Sequence, residues 1–204
     1  MELEAKFLVE RKEVLEQIAN LTQILDYGLE VQEEKLQKDT YFDTEGFTLL
    51  NHRKAFRVRE KGDMLLATFK GAKQQGNGIF ERDEIEKEIL PDQIGNLMQC
   101  KLDIPPVKMA RKVIKGRKLK QVLTVKNHRK TINLVKDGKI DFEMSLDQGV
   151  FEGYKGESSF LELEIEAKFG DKTSLHQVSK FLVNQYKLVP SDMSKLERGI
   201  KLVC

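Results

Sequence analysis

The most constraining feature of this chain is a two-residue alternation that recurs along it with charge on one side. Glu162, Glu164 and Glu166 alternate with Leu161, Leu163 and Ile165, and Glu2, Glu4 and Lys6 alternate with Leu3, Ala5 and Phe7. Residues 55–60 set Phe56 and Val58 against Arg57 and Arg59, and residues 79–89 carry Arg82, Glu84, Glu86 and Glu88 on one side. Successive side chains of a strand point to opposite faces, so each run reads as a strand with an apolar and a charged face. One such strand is ordinary in a half-solvated antiparallel sheet. Here the pattern repeats on at least five strands, and each face favours one sign. Three carboxylates at i, i+2 and i+4 stand about 7 Å apart, a repulsion that solubility alone does not require. The basic faces use Arg57, Arg59, Arg82 and Arg129, whose planar donors suit phosphate oxygens. Such a sheet can face water, or close into a barrel whose lumen is the charged side. Carboxylates and bases in one cavity suit a hard divalent cation bound together with phosphate.

Further strands are expected at 64–70, 121–135, 139–147 and 158–168, with hairpin turns at Gly62-Asp63 and Asp137-Gly138. Helices are expected over 11–26, where Val14, Ile18, Leu21 and Leu25 form a stripe, over 91–100 behind Pro91, and over 171–187 behind Asp171. A short helical turn is expected near 192–199. Residues 71–78, Gly-Ala-Lys-Gln-Gln-Gly-Asn-Gly, read as a loop, and the basic segment 105–118 is ambiguous. It is either a solvated helix or a funnel that steers anions.

The 204 residues fit one domain or two small ones. Lys plus Arg at 35 and Asp plus Glu at 33 nearly cancel, leaving a net charge of +2. That removes the bulk electrostatic footprint of a nucleic-acid binder, so any anion site must come from local clustering. No apolar run approaches the ~18 residues of a membrane span, and the first residues lack the pattern of a secretion signal. Cys100 and Cys204 have no metal-ligand spacing, and Cys204 does not fit a prenylation motif. His52, His128 and His176 are scattered. A cytoplasmic, reduced protein is expected.

Glu2-x-Glu4-x-Lys6 resembles the E-x-E-x-K signature of CYTH proteins, the triphosphate tunnel metalloenzymes. Matching segments follow in order: Tyr41-Phe42-Asp43-Thr44, Ala55-Phe56-Arg57-Val58-Arg59, Ala67-Thr68-Phe69-Lys70-Gly71, Arg82-x-Glu84-x-Glu86, Arg129, Ser145-Leu146-Asp147, Leu161-Glu162-Leu163-Glu164 and Ser194-Lys195. They span residues 2–195. Glu88, Glu166, the 71–78 segment and residues 105–120 fall outside the pattern.

The resemblance implies an α+β fold, an eight-stranded antiparallel β-barrel with helices outside, as a single domain over 1–204. It implies Mg²⁺ or Mn²⁺ held by Glu2, Glu4, Glu162 and Glu164 with Glu84 or Glu86. It implies phosphates clamped by Lys6, Arg57, Arg59, Lys70, Arg82, Arg129 and Lys195. Lys6, Arg57, Arg59, Arg129 and Lys195 would be the catalytic set together with Asp147, which would orient Arg129 or a water. Lys6 shares a strand face with Glu4 and could instead pair with it. Family members hydrolyse triphosphate compounds or, as class IV adenylyl cyclases, convert ATP to cyclic AMP. The leading expectation is a metal-dependent triphosphatase. Inorganic triphosphate is its simplest substrate, because the matched residues address phosphates and no seat for a base is visible. Thiamine triphosphate and nucleoside triphosphates stay open. The alternatives are the cyclase, a non-catalytic polyphosphate binder, and a structural β-protein with a charged surface. No nucleic-acid or membrane partner is expected, and a homodimer is left open.

Overall fold

Asp137 and Gly138 both adopt positive φ, 50° and 73°. That is the two-residue turn whose twist matches antiparallel strands, and it launches the longest hairpin of the fold. In this computed structural model residues 2–76 and 78–204 are described, with the side chains of 72–75 and 82 left aside. The chain runs β1 (Glu2–Leu8), α1 (Lys12–Ala19), β2 (Gln23–Ile24), β3 (Tyr27–Val31), β4 (Lys35–Asp43), α2 (Thr48–Asn51), β5 (Lys54–Lys61), β6 (Met64–Gly76) and β7 (Ile79–Ile89). A 3-10 turn at Pro91–Gln93 leads into α3 (Ile94–Met98) and α4 (Pro105–Ile114). Then follow β8 (Lys120–Lys136), β9 (Lys139–Gly153), β10 (Gly156–Ala167), α5 (Lys172–Tyr186), β11 (Val189–Pro190) and α6 (Lys195–Val203).

The strands pair in the order β8-β4-β5-β6-β7-β1-β10-β9, and β9 returns to β8. Eight antiparallel strands therefore close on themselves, which leaves the expected barrel with no open edge. Strands β2 and β3 extend β8, and β11 caps β1. Register fixes which side chains point inward. Lys6 stands opposite Glu164, Lys70 opposite Glu84, and Arg129 opposite Asp147, so the charged faces of the sequence share the lumen.

The apolar faces point outward and are covered. Helices α1 and α5 pack Leu15, Ile18, Leu175, Val178 and Leu182 over Ala5, Phe7, Leu163 and Ile165. Helices α2, α3 and α4 pack Leu49, Leu97, Val107, Ala110 and Ile114 over Phe56, Val58, Ala67 and Phe69. Asp171 caps α5, accepting from the Ser174 N–H at 2.8 Å. Asp43 closes α2 by accepting from the Thr44, Leu49 and Leu50 N–H groups at 2.7–2.9 Å.

A third cluster lies inside the barrel. Tyr41, Leu123, Val125, Phe151 and Phe160 share the inward register, and they surround α6 through Leu196 and Val203. Helix α6 starts with a capping box: Ser194 Oγ accepts from the Glu197 N–H, and Glu197 accepts from the Ser194 N–H. Gly199 lets it approach the wall, since a Cβ there would stand 2.5 Å from a Leu123 methyl. The helix stoppers one end of the lumen.

Three expectations need correction. The helix expected over 11–26 stops at Ala19, and 23–24 form a strand, with Leu25 at φ 53° and exposed. Leu21 and Leu25 therefore do not continue the stripe. The expected loop at 71–78 is strand as far as Gly76, paired with β7, and Asn77 lies outside the described residues. Glycines and glutamines there suggested low burial, but register with β7 decides. The helical turn near 192–199 is the start of the longer α6. No helix among the described residues is long and apolar enough to cross a membrane.

Candidate active site in the barrel lumen

The unstoppered half of the lumen is a cavity of about 590 Å³. Strand β1 contributes Glu2, Glu4 and Lys6, β5 contributes Arg57 and Arg59, β6 Lys70, and β7 Glu84 and Glu86. Arg129 comes from β8, Glu164 from β10, and Lys195 from the first turn of α6 at the floor. Eleven residues singled out in the sequence thus meet in one space. Asp147 and Glu162 point inward too, but they are fully buried and lie beneath the cavity lining. The backbone of Arg82 pairs with Glu2, and its side chain lies outside the described residues.

Two buried aspartates organise the bases. Asp39 accepts from Arg59 Nε and Nη2 at 2.7 Å each and from Arg57 Nη1 at 3.1 Å. On the other side of β8, Asp147 accepts from Arg129 Nε at 2.7 Å and Nη2 at 2.6 Å, and Lys195 Nζ stands 2.9 Å away. Burial pushes both carboxyls up, but their cations outweigh it. Arg57 and Arg59 hold Asp39 below the usual carboxylate range, and Lys195 and Arg129 hold Asp147 at about 2. The same contacts act in reverse on the bases. Burial favours the neutral form of Arg57, Arg129 and Lys195, yet the facing carboxylates keep all three firmly charged.

The remaining bases are paired as well. Lys6 Nζ contacts Glu164 directly and stands 3.1 Å from Glu4, so the pairing suggested by their shared face exists. Lys70 Nζ lies 3.2 Å from Glu2 and 2.8 Å from Glu84, and Arg57 lies 3.6 Å from Glu84. Glu84 is lowered: burial opposes this, and Lys70 and Arg57 overcome it. Glu164 is likewise held well below its usual value by Lys195, Lys6 and Arg129, against burial. Glu162 is raised, with burial the main cause. It contacts Lys195 and lies 2.5 Å from Arg198 Nη2, which ties α6 to β10.

The donor set tests whether a metal fits. Carboxylate oxygens of Asp147, Glu162 and Glu164 lie within 4.8 Å of one another. The Lys195 ammonium contacts all three, however, and so holds the place of a cation. Glu2, Glu4, Glu84, Glu86 and Glu164 instead face the open cavity. Hard carboxylate oxygens of this kind fit Mg²⁺ or Mn²⁺.

Sequence reasoning missed Asp39, Arg198 and the mouth residues Lys35, Asn133, Glu143, Lys168 and Phe169. The signal for Asp39 was the alternation Lys35, Gln37, Asp39, Tyr41, all on one face of β4. The basic segment forms α4, whose bases do not line the cavity among the described residues. Lys108 pairs with Asp103, and Arg111 donates to the Cys100 and Leu102 carbonyls.

The CYTH domain model matches residues 1–200. No curated protein matches the sequence significantly. Several solved structures share the fold. HpAC1 of Hippeastrum, described as a candidate adenylyl cyclase with a dominant triphosphatase activity, superposes with a TM-score of 0.76 at 17% identity, over 100% of this chain and 97% of that one. A candidate adenylate cyclase of Bacillus halodurans gives 0.68 at 21%, over 97% and 96%. The PH1819 protein of Pyrococcus horikoshii gives 0.65 at 20%, over 98% and 99%.

Proposed function

Because the chain belongs to the CYTH domain family, we propose that it acts, as one domain over residues 1–204, as a metal-dependent hydrolase of triphosphate compounds. The observation that carries this is the charge balance of the lumen. Lys6, Lys35, Arg57, Arg59, Lys61, Lys70, Arg129, Lys168 and Lys195 line it with Glu2, Glu4, Glu84, Glu86, Glu143, Glu164 and Glu166, and Asp39, Asp147, Glu162 and Arg198 lie beneath. Among the described residues, bases and carboxylates are equal in number. A triphosphate of about four negative charges would leave this site strongly negative. It can enter only together with cations, which the carboxylates freed from their lysines and arginines are suited to hold.

Lys6, Lys70 and Arg57 would turn from glutamates to phosphate oxygens, while Asp39 and Asp147 keep Arg59 and Arg129 aimed into the cavity. Lys195 would meet the innermost phosphate at the floor. Glu2, Glu4, Glu84, Glu86 and Glu164 would hold Mg²⁺ or Mn²⁺, which supplies charge neutralisation and an activated water when bound. Glu162, beneath the lining, would anchor Lys195 and Arg198. Catalysis of this type rests on positioning and electrostatics, with little covalent chemistry required of the protein. A neutral network of ion pairs gives a pure polyphosphate binder no advantage over bases alone.

The test is an endpoint assay with Mg²⁺ and with Mn²⁺ on inorganic triphosphate, thiamine triphosphate and ATP, scoring orthophosphate and cyclic AMP. Orthophosphate release that stops with a chelator is expected. Cyclic AMP with diphosphate from ATP would replace the hydrolase by the cyclase. Binding of triphosphate without turnover under both metals would leave a binder.

A further inference from the structure

Residues 101–120 supply nothing to the lumen, yet their charge is lopsided. Eight Lys and Arg stand there against Asp103 alone. The segment is net +7 in a chain of net +2, so the remainder is net −5. The near-zero total conceals this division. The fold gathers the charge on one face. Helix α4 buries Val107, Ala110 and Ile114 against the apolar wall of the barrel and leaves Lys108, Arg111 and Lys112 exposed. These stand at i, i+3 and i+4, and exposed Lys115 closes the helix at i+7, so the four share a stripe. Lys115 and Gly116 then take positive φ, 50° and 81°, and exposed Arg117 and Lys118 follow at once. Little on the protein neutralises them. Lys108 lies 2.9 Å from Asp103 and Lys120 lies 3.8 Å from Glu45, both exposed pairs that water screens. Among the described residues no carboxylate pairs with Lys112, Lys115, Arg117 or Lys118.

We infer that this face docks the protein on an anionic lipid surface, with α4 lying flat on the headgroups. The inference does not depend on the triphosphate reading. Three features favour a bilayer over other polyanions. Six of the eight bases are Lys, flexible point charges without the planar fork that suits nucleic-acid phosphates, and Arg111 is committed to the Cys100 and Leu102 carbonyls. The segment has no aromatic side chain to stack on a base. It exposes no large apolar residue that could form the centre of a protein interface. Lipid headgroups are mobile and can gather beneath bases in any arrangement. Each base near such a surface adds to the attraction, which fades within a Debye length. Because α4 covers the outer wall over Phe56, Val58 and Phe69, docking uses the flank of the barrel, and the bases of the lumen take no part.

Co-sedimentation of the whole protein with vesicles tests this, using phosphatidylcholine alone or with about 30% phosphatidylserine. Binding to the anionic vesicles alone is expected, and about 0.5 M salt should abolish it. Lys112→Glu combined with Lys118→Glu should weaken it roughly tenfold or more. Lys155→Glu combined with Lys180→Glu makes the same change of charge at exposed sites outside α4, and should bind as wild type does. Circular dichroism checks that both variants are folded. Equal loss in the two variants would reduce the effect to net charge and overturn the inference, as would no loss in the first. Wild type that ignores anionic vesicles, or that a DNA duplex captures in preference to them, also overturns it.

Discussion

The two halves of the lumen are held by opposite means. The stoppered half is a small apolar core turned inward. Phe151 and Phe160 stack at 4.4 Å, and the Arg198 guanidinium lies 5.5 Å from both rings. The open half is lined mainly by charged and polar side chains, and every described base in its deep part touches a carboxylate. The first half is stabilised by removing surface from water. The second merely offsets the desolvation of its charges, since buried ion pairs seldom stabilise more than well-packed apolar residues would. The comparison teaches that the charged half is maintained for its ligand, and that the fold relies on the other half and on the outer layers.

Single substitutions should separate them. Asp147→Ala leaves Arg129 facing Glu164 alone and Lys195 facing Glu162 and Glu164, and should cost about 3–5 kcal/mol in chemical denaturation together with nearly all activity. Phe151→Ala should cost a similar 3–5 kcal/mol through the cavity it opens, yet leave triphosphate affinity in the folded fraction intact. If affinity falls as much as stability, the halves are not independent.

Acid sharpens the contrast. Asp39, Asp147, Glu84 and Glu164 all have folded pKa values below their unfolded ones. Their stabilising contribution is therefore present above about pH 4.5 and lost as pH falls towards 2. The urea midpoint should decline across that window, and the decline should be shallower in Asp147→Asn. An unchanged slope in that variant would remove Asp147 from the account.

Lys70→Ala should change stability by less than about 1 kcal/mol, because its partners Glu2 and Glu84 face the cavity and can hydrate. It should weaken triphosphate binding roughly 10- to 100-fold, as expected for a lost hydrogen bond to a charged group. Asp171→Ala, outside the barrel, should cost about 1 kcal/mol through the lost α5 cap and leave activity unchanged in a saturating assay.

Parity along the strands was legible in the sequence, and depth was not. Alternation placed Glu2, Glu4, Lys6, Arg57, Arg59 and Glu164 on inward faces, and the structure brings them together. The same alternation placed Glu162 inward but could not tell that it lies one layer below Glu164, against Arg198. The stoppered half was hidden for a related reason. Leu123, Val125 and Phe151 are apolar on the inward face, and a strand apolar on both faces gives no alternation to read. That α6 enters the barrel follows from Gly199 meeting Leu123, a contact between segments far apart in the chain.

The closure of β1 between β7 and β10 bears on how the protein folds. Lys6 and Glu164, paired in the barrel, are 158 residues apart. So long a loop must be closed before the pairing returns anything, which makes folding slow relative to that of helical proteins. Until β10 is available, the edge of β1 that faces away from β7 is open to other chains. Its glutamates and lysine then serve as gatekeepers, because alternating charge discourages edge-to-edge association. The residues proposed to hold the substrate would also keep the nascent strand from aggregating.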